Sequence, residues 1–414
     1  MKKFLTLDDL DVNGKTVLAR VDINCPLERG TKRILDDYRI KASLPTLKEL
    51  LERGSKLVVL AHQGRPGRWD FVSLKEHAEK FKDLGVDVSF VDEVYGEKAS
   101  SAIKSLKPGE GVLLENVRFA PEEMEEKTAE EHAKSRLVQA LAPLSDAFVN
   151  DAFSAAHRSH CSLMGFTCVM PSAAGRLMES EINNLARLLR PEKPSASLLG
   201  GAKLSGSIKI IGSLLGRGAF DKVLLTGLIA QAFLKAAGTE IGKINEAFLR
   251  EETSEKFYKD AKELLRKHPD RVLLPEDFAV EKNGGRKEIR RGELPTEHPI
   301  CDIGGRTIRK FKEELVKAKT IFVSGPAGVF EKPAFRKGTE ELLRAVASSG
   351  AFTVAGGGHT IAALRELGLL SRISHASVGG GALETFISSG TMPAIEALKA
   401  SAREFAPRGN TFKD

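Results

Sequence analysis

The sequence is poor in cysteine and has no long apolar run. Its 414 residues include four cysteines, at positions 25, 161, 168 and 301, and none forms a C-x-x-C pair. A disulfide framework or structural zinc site is therefore not expected, and reduced, buried thiols are predicted. No apolar stretch approaches the roughly 18 residues of a membrane span. The N-terminal segment MKKFLTLDDLDVNGK lacks an apolar signal core, which predicts a cytoplasmic protein.

Two common nucleotide-binding motifs are also missing. The chain has no G-x-x-x-x-G-K-[ST], which excludes a P-loop, and no G-x-G-x-x-G followed by a suitable acid. The second absence argues against a nicotinamide-dependent dehydrogenase.

The net charge is positive, but the basic residues are not clustered in the sequence. Lysine and arginine total 63 against 56 acidic residues, a net charge of +7, and they are spread along the chain with no basic tail. A nucleic-acid-binding or scaffolding protein stays possible on charge alone, but a small anionic substrate explains the surplus equally well. We expect no nucleic-acid or membrane partner, and a monomer or homodimer.

Short apolar or β-branched runs alternate with amphipathic helical patterns along the whole chain, which is typical of parallel sheets covered on both faces. Eleven candidate strands favour two sheets over one, and the helical stretch 175–194, ended by prolines, offers a joint between them. The sequence predicts an α/β protein of two doubly wound, Rossmann-like parallel-sheet domains joined by a helix hinge. The boundaries are 1–174, a linking helix at 175–194, 195–390, and a C-terminal helix and tail at 391–414 that packs back toward the first domain. The candidate strands are 16–24, 56–62, 88–92, 111–119, 147–153, 196–201, 222–227, 271–278, 320–325, 352–358 and 374–381.

Polar residues follow the first-half strands, where open parallel sheets bind ligands. Arginine forks match phosphate and carboxylate groups, so arginines at several strand ends could surround a small polyanion. Any one of them could instead be a surface residue paired with an acid. Asp22 and Asn24 could merely cap a loop, and His62, His157 and His160 could be core residues. The four arginines are Arg39, Arg65, Arg118 and Arg158.

The second half offers glycines and one lysine at its strand ends. Glycine lets backbone N–H groups approach a phosphate, and helix N-termini add a favourable dipole. Lys203, in GGAK (200–203), can reach a phosphate as a point charge, and a solvent-facing lysine is the less favoured alternative. The two halves together indicate phosphoryl transfer between a polyanion and a nucleotide, with domains that close to exclude water.

Long motifs at the strand ends and in the segments beside them are ordered along both halves of the chain. They are RVDINCPL (20–27), DDYRIKASLPTL (36–47), LAHQGRP (60–66), LLENVRF (113–119), VNDAFSAAHRSH (149–160), LLGGAKLSGSIKII (198–211), DIGGRT (302–307), SGPAGVFEKPAFRKGT (324–339), VAGGGHT (354–360) and SVGGGALE (377–384). These motifs resemble those of the phosphoglycerate kinase family over nearly the whole chain, and the GPAGVFE and GGGHT forms resemble its archaeal branch.

The resemblance implies a magnesium-dependent enzyme that transfers phosphate reversibly between ATP and 3-phosphoglycerate, giving ADP and 1,3-bisphosphoglycerate. In the first domain, Arg39 would stabilise the transferring group at the reacting carboxyl. Lys203, Gly380 and Gly381 would complete the catalytic set, and Glu331 would bind the ribose. The other implied substrate contacts are Asp22, Ile23, Asn24, His62, Gln63, Gly64, Arg65, Arg118 and Arg158, and the other nucleotide contacts are Gly356, Gly357, Gly358, His359 and Thr360.

Three positions depart from the family pattern. His359 stands where many members have an aspartate that helps to hold Mg²⁺, and imidazole is a poor ligand for that hard cation. The metal ligands are therefore not assigned from the sequence. Ser207 replaces a usual lysine, and Ser324 a usual asparagine.

Overall fold

The computed structural model describes residues 3–405. It divides into two compact units, one comprising the residues up to Ile182 with those from Thr391 onward, and one comprising Asn183–Gly390. The division falls inside a helix, Arg176–Leu189, which is shorter than the predicted 175–194. No helix in the described part of the chain is long and apolar enough to cross a membrane.

A parallel sheet of seven strands, counted over the described residues, forms the centre of the first unit. Its order is β1-β7-β6-β2-β3-β5-β4. The strands are β1 (Leu5–Thr6), β2 (Thr16–Arg20), β3 (Lys56–Leu60), β4 (Val88–Val91), β5 (Gly111–Leu114), β6 (Ala147–Asn150) and β7 (Ser172–Ala174). The helices are α1 (Tyr38–Glu52), α2 (Lys75–Asp83), α3 (Glu97–Ser105), α4 (Ala129–His132), α5 (Arg136–Leu141), α6 (Cys161–Met164) and α7 (Arg176–Leu189).

Both faces of this sheet are buried, as the continuous apolar strands predict. Along β2, Val17 and Ala19 belong to one core cluster and Leu18 to the other. Successive side chains of a strand point to opposite faces, so each strand contributes to two cores. The prediction of an α/β fold with two parallel sheets is confirmed.

The second unit has a six-stranded parallel sheet in the order β10-β9-β8-β14-β15-β16, and a separate antiparallel sheet, β12-β11-β13, within the described residues. Its strands are β8 (Ser195–Leu199), β9 (Lys222–Leu225), β10 (Val272–Leu273), β11 (Asp277–Lys282), β12 (Gly285–Arg290), β13 (Ile300–Ile303), β14 (Thr320–Ser324), β15 (Phe352–Gly356) and β16 (His375–Ala376). Its helices are α8 (Leu204–Gly216), α9 (Gly227–Ala236), α10 (Lys243–Arg250), α11 (Glu255–Lys267), α12 (Gly305–Lys317), α13 (Lys337–Ser348), α14 (Gly358–Glu366) and α15 (Gly381–Ser389).

The antiparallel sheet corrects the prediction of one strand at 271–278. That stretch divides between β10 and β11. Pro275 lies between them and has no N–H to donate to a ladder. β11 then turns into β12 through Asn283 and Gly284, both with positive φ, which is a two-residue hairpin turn.

Two smaller expectations are also corrected. The stretch 129–144, one of the amphipathic helical patterns between the candidate strands, is broken into α4, α5 and a 3-10 turn, because Ser135 caps α5 and Pro143 lies in the turn. The four cysteines are free, but Cys168 is half-buried rather than buried.

A last helix, α16 (Pro393–Phe405), packs on the first unit against β7 and α6. Its Ala394 N–H donates to the Ala156 carbonyl at 3.2 Å. The predicted polar tail, 406–414, lies outside the described residues.

The first turn of α7 is capped by a buried carboxylate. Asp151, just after β6, is fully buried and its Oδ1 accepts the Met178 N–H at 3.0 Å. Burial raises the pKa of Asp151 to about 7, although the hydrogen bonds from Met178 and Thr46 oppose the shift. A Cβ at Gly175 would lie 2.3 Å from Asp151 Oδ1, so only glycine fits beside the cap.

We predict that Asp151→Asn weakens the pH dependence of stability. The folded-state pKa of about 7 exceeds that of an unfolded aspartate, so the folded chain holds an extra proton between these values. The contribution of Asp151 to the free energy of unfolding is complete below the pKa of an unfolded aspartate. It is lost as pH rises through about 7, at up to about 1.4 kcal/mol per pH unit. Urea midpoints measured across this range should fall less in Asp151→Asn than in the wild type. Asp146→Asn, which replaces an exposed carboxylate just before β6, is the control. Parallel curves of urea midpoint against pH for Asp151→Asn and the wild type would contradict the assignment.

Candidate active site

Four neighbouring strands of the first unit place their polar ends at one edge of the sheet. β6, β2, β3 and β5 are adjacent and parallel, so their carboxyl ends lie together. The segments that follow them carry the predicted substrate residues, at 22–24, 62–65, 116–118 and 150–158. Arg39 joins them from the first turn of α1.

Asp22 is the buried carboxylate at this edge. It accepts Arg39 Nη1 at 2.6 Å, the Asn24 N–H at 3.0 Å, and a short hydrogen bond from the Ser154 hydroxyl. Burial alone would favour its neutral form, but the Arg39 charge and the hydrogen bonds from Ser154 and Asn24 together outweigh burial and hold the Asp22 pKa well below its usual range. Asp22 is therefore ionised and fixes the position of Arg39, which is 32% exposed.

His62 lies beside this pair and is buried and neutral. Its Nδ1 is 3.0 Å from Arg20 Nη2, and the side chain is 1% exposed. Burial lowers the His62 pKa well below its usual value; Asp22 opposes this, while the charges of Arg20 and Arg118 add to it.

Three of the predicted arginines have no acidic partner. No salt bridge to Arg65, Arg118 or Arg158 occurs among the described residues, in contrast with Arg39. Burial lowers the pKa of Arg118 to about 10, and repulsion from Arg158 adds to the shift. Burial and Arg65 likewise lower the pKa of Arg158. Arg118 Nε is also buried without a hydrogen-bond partner in the described structure. These guanidinium groups repel one another, so an anion among them would be stabilised.

The other predicted substrate residues mostly shape the loops. Gln63 is fully buried and exchanges hydrogen bonds with the backbone of Cys25, at 2.9 and 3.1 Å. Asn24 Oδ1 accepts the Gly64 N–H at 3.0 Å. Ile23 packs in the core. Any contact that Ile23 or Gln63 makes with a substrate is therefore through the main chain.

In the second unit, two adjoining cavities collect the predicted nucleotide residues. The first, of about 380 Å³, has largely apolar walls that include Phe248, Phe278 and Ile300, with Glu331 at its side. The second, of about 390 Å³, is lined by glycines and by Lys203, His359 and Thr360. Gly201, Ala202, Pro326 and His359 line both. The arrangement suits a flat apolar base beside an anionic tail.

Close backbone packing forms the floor of the glycine-lined cavity. A Cβ at Gly200 would lie 2.3 Å from the Pro326 carbonyl oxygen and 2.4 Å from Thr226 Oγ1. The predicted Gly357 and Gly380 are the N-caps of α14 and α15, with φ of 86° and 50°. The helix termini at Gly358 and Gly381 leave N–H groups unpaired within the helices. Gly356 is buried against Leu383, where a Cβ would be 2.1 Å away.

Lys203 and Glu384 form a short ion pair across this cavity. Lys203 is 66% exposed, so solvent screens the pair and the lysine is free to exchange partners. Ser207, in place of the usual lysine, donates to the Lys203 carbonyl at 2.7 Å and supplies no charge. Among the described residues, no group of three His, Cys, Asp or Glu side chains could hold a metal ion.

Sequence reasoning assigned no role to Ser154, Arg20 or Glu384. Ser154 is a small residue 132 positions from Asp22, and Arg20 occupies an ordinary strand position. Glu384 lies in the SVGGGALE motif, which is the one signal that could have drawn attention to it.

Arginines without acidic partners in one α/β unit and a glycine-lined cavity with a lysine in the other are features that suit a phosphotransferase. The sequence profile of the phosphoglycerate kinase family matches residues 7–389. The chain belongs to that family, whose members are phosphotransferases with a carboxyl group as acceptor. The predicted phosphoglycerate kinase activity, with its dependence on ATP and ADP, is confirmed at this level.

Individual relatives agree with the profile. Phosphoglycerate kinase of Methanothermus fervidus is 44% identical over 405 residues, covering 97% of this chain and 98% of its own. That of Methanothermobacter thermautotrophicus is 44% identical, covering 96% and 97%. The crystal structure of phosphoglycerate kinase from Pyrococcus horikoshii OT3 is similar with a TM-score of 0.89 at 40% identity, covering 97% of this chain and 100% of that chain. The predicted likeness to the archaeal branch is confirmed.

We predict that Gly200→Ala weakens ADP binding about tenfold or more, because an overlap that costs about 1–3 kcal/mol is relieved only by moving the segments that line the cavity. The new methyl group would displace the Pro326 carbonyl or Thr226. Calorimetric titration with ADP measures the effect. Gly212→Ala, in α8 with nothing within 4 Å of its added Cβ, is the matched control. Equal ADP affinity in the two variants would contradict the packing argument.

Proposed function

We propose that the arginine-lined edge of the first unit binds 3-phosphoglycerate. The observation that supports this most strongly is the set of three arginines without acidic partners beside one ionised carboxylate. Arg65, Arg118 and Arg158 hold the phosphate, and His62 donates a hydrogen bond to it. Asn24 and Asp22 bind the hydroxyl and the region of the acceptor carboxyl. Gly64 orients this loop.

Arg39 acts at the reacting end of the substrate. Its bond to Asp22 and a contact of 3.3 Å with Ser154 Oγ hold one side of the guanidinium. The other nitrogens remain for the acceptor carboxylate and the phosphoryl group in transfer. Because charge develops on those oxygens during the reaction, this contact strengthens in the transition state.

The two cavities of the second unit bind ATP or ADP. Glu331 bonds the ribose beside the apolar cavity, and residues 356–360 surround the phosphate chain. Lys203 leaves Glu384 for the phosphates when nucleotide binds. Gly380 and Gly381 present the N-terminus of α15 to the transferring phosphoryl group.

A magnesium ion fits this donor set only as a partner of the nucleotide. Mg²⁺ commonly keeps waters and takes one or two carboxylates plus phosphate oxygens. Glu384 and Glu252 are the carboxylates that line the glycine cavity, and His359 is the poorer ligand. When bound, the ion neutralises phosphate charge. Glu384 would hold it once Lys203 has moved to the phosphates.

The transfer is in line. A carboxylate oxygen of 3-phosphoglycerate forms a bond to the γ-phosphorus as the bond from that phosphorus to the β-bridging oxygen breaks, and ADP leaves. The proposed closure of the two units about the α7 hinge excludes water, which would otherwise accept the phosphoryl group. The cytoplasmic location, the oligomeric state and the absence of nucleic-acid and membrane partners stay predictions.

We predict that Arg39→Ala lowers kcat about a hundredfold or more and changes KM for 3-phosphoglycerate far less. Steady-state rates of ADP formation from Mg·ATP and 3-phosphoglycerate measure both constants. Arg136→Ala, an exposed arginine on α5 of the same unit, is the control. A rise in KM alone would contradict the role given to Arg39.

The same assay tests the site assignment against a nucleic-acid-binding role. If the arginines served nucleic acid, Arg39→Ala would leave turnover unchanged and reduce a salt-sensitive binding to DNA or RNA. The assigned role requires the opposite result.

A further inference from the structure

Arg20, the last residue of β2, lies beneath the proposed substrate site and is 1% exposed. All three of its side-chain nitrogens have partners. Nε donates to Ser162 Oγ at 2.8 Å, Nη1 donates a short hydrogen bond to the Val21 carbonyl, and Nη2 lies 3.0 Å from His62 Nδ1. The guanidinium is therefore fixed in orientation and cannot turn to meet a ligand.

An acidic residue, Glu123, is linked to Arg20 through the Ser162 hydroxyl. Glu123, fully buried, lies 3.8 Å from Arg20 Nη2. The Ser162 hydroxyl accepts from Arg20 and donates to Glu123 Oε1 at 2.8 Å, and the Ser162 N–H donates to Glu123 Oε2 at 2.8 Å. Burial raises the pKa of Glu123 and lowers that of Arg20, but a guanidinium stays protonated in proteins. Ser162 thus links the buried guanidinium to the buried Glu123 carboxyl group.

The contact with His62 decides which ring nitrogen carries the proton. A guanidinium can only donate hydrogen bonds, so Nδ1 must accept from Arg20. The neighbouring cations and burial keep the ring neutral. A neutral imidazole whose Nδ1 accepts carries its single proton on Nε2. No hydrogen-bond partner of that Nε2 occurs among the described residues, so the N–H is available to a ligand.

We propose that Arg20 is a positioning residue that fixes His62 as an Nε2–H donor toward the phosphate of 3-phosphoglycerate. The orientation of the donor toward that ligand rests on the proposed function; the tautomer itself follows from Arg20 alone. Without Arg20, Asp22 is the acidic residue within 4.0 Å of Nδ1 among the described residues, with its Oδ1 4.0 Å away. That carboxylate would draw a proton onto Nδ1.

The direct test is ¹⁵N NMR of histidine-labelled full-length protein, with the His62 signal assigned by His62→Asn. In the wild type without substrate, we expect Nδ1 unprotonated and Nε2 protonated, unchanged from about pH 6 to 8. A protonated Nδ1 in the wild type would overturn the proposal. This measurement needs no Arg20 variant, so it decides even if such variants fail to fold.

The second test is the double variant Arg20→Met with Glu123→Gln, which removes the buried cation and its countercharge together. Glu123→Gln alone keeps Arg20 and is the matched control. In the double variant, we expect a proton on Nδ1 and binding of 3-phosphoglycerate weakened about tenfold or more relative to the control, the size of one hydrogen bond to a charged group. The KM for ATP should not change.

Substrate binding can be followed by fluorescence of Trp69, the one tryptophan of the chain, which lies in the loop after Arg65. A double variant that keeps the Nε2–H tautomer, or one that binds substrate as tightly as the control, would overturn the positioning role. Failure of the wild type itself to bind 3-phosphoglycerate would instead refute the proposed function and leave the tautomer assignment intact.

Discussion

The first unit depends on a surplus of positive charge concentrated at one edge of its sheet. Arg39 helps to lower the pKa of Asp22, and Arg158 and Arg20 help to lower the pKa of Arg118. Arg65 and Arg20 act in the same way on Arg158. Asp22 and Glu123 neutralise only part of this charge. Burying a guanidinium group without a countercharge costs free energy, and a bound anion would relieve that cost. The arginines are therefore already in position before a polyanion binds, and no free energy of binding is spent on ordering them.

The repulsion among these arginines explains why many nearby side chains make hydrogen bonds that hold the loops in place. Gln63 joins two loops, and Asn116 Nδ2 donates to the carbonyls of Gln63 and Val72 at 2.8 and 2.9 Å. Like charges held close together would otherwise push their loops apart. A loop braced by buried amide groups keeps the arginines in position, and this preorganisation favours charge stabilisation without rearrangement during reaction.

Much of the fold and site was predictable because the chemistry is local in sequence. Apolar strands alternating with helices predict parallel sheets, and Arg65, Arg118 and Arg158 lie in the segments that follow three of those strands. The hairpin at 277–290 was not predicted: β12 is mostly exposed and lacks apolar alternation, so only Asn283-Gly284 indicates a turn. Ser154 and Arg20 could not be assigned roles either. Their functions come from contacts made across the chain, with Asp22 in one case and with His62 in the other, and neither residue type nor spacing encodes such a contact.

In the proposed function, the two units bind their anionic ligands with different chemical groups. The first uses guanidinium and imidazole side chains, which suit a compact substrate with fixed anionic ends. The second uses main-chain amides exposed by glycines, with Lys203 as its mobile charge. A phosphate chain that loses and regains a terminal group needs donors that tolerate both lengths, and helix N-termini do so without moving. The exchangeable Lys203–Glu384 pair fits that requirement, because the lysine retains an anionic partner when the cavity holds no phosphate.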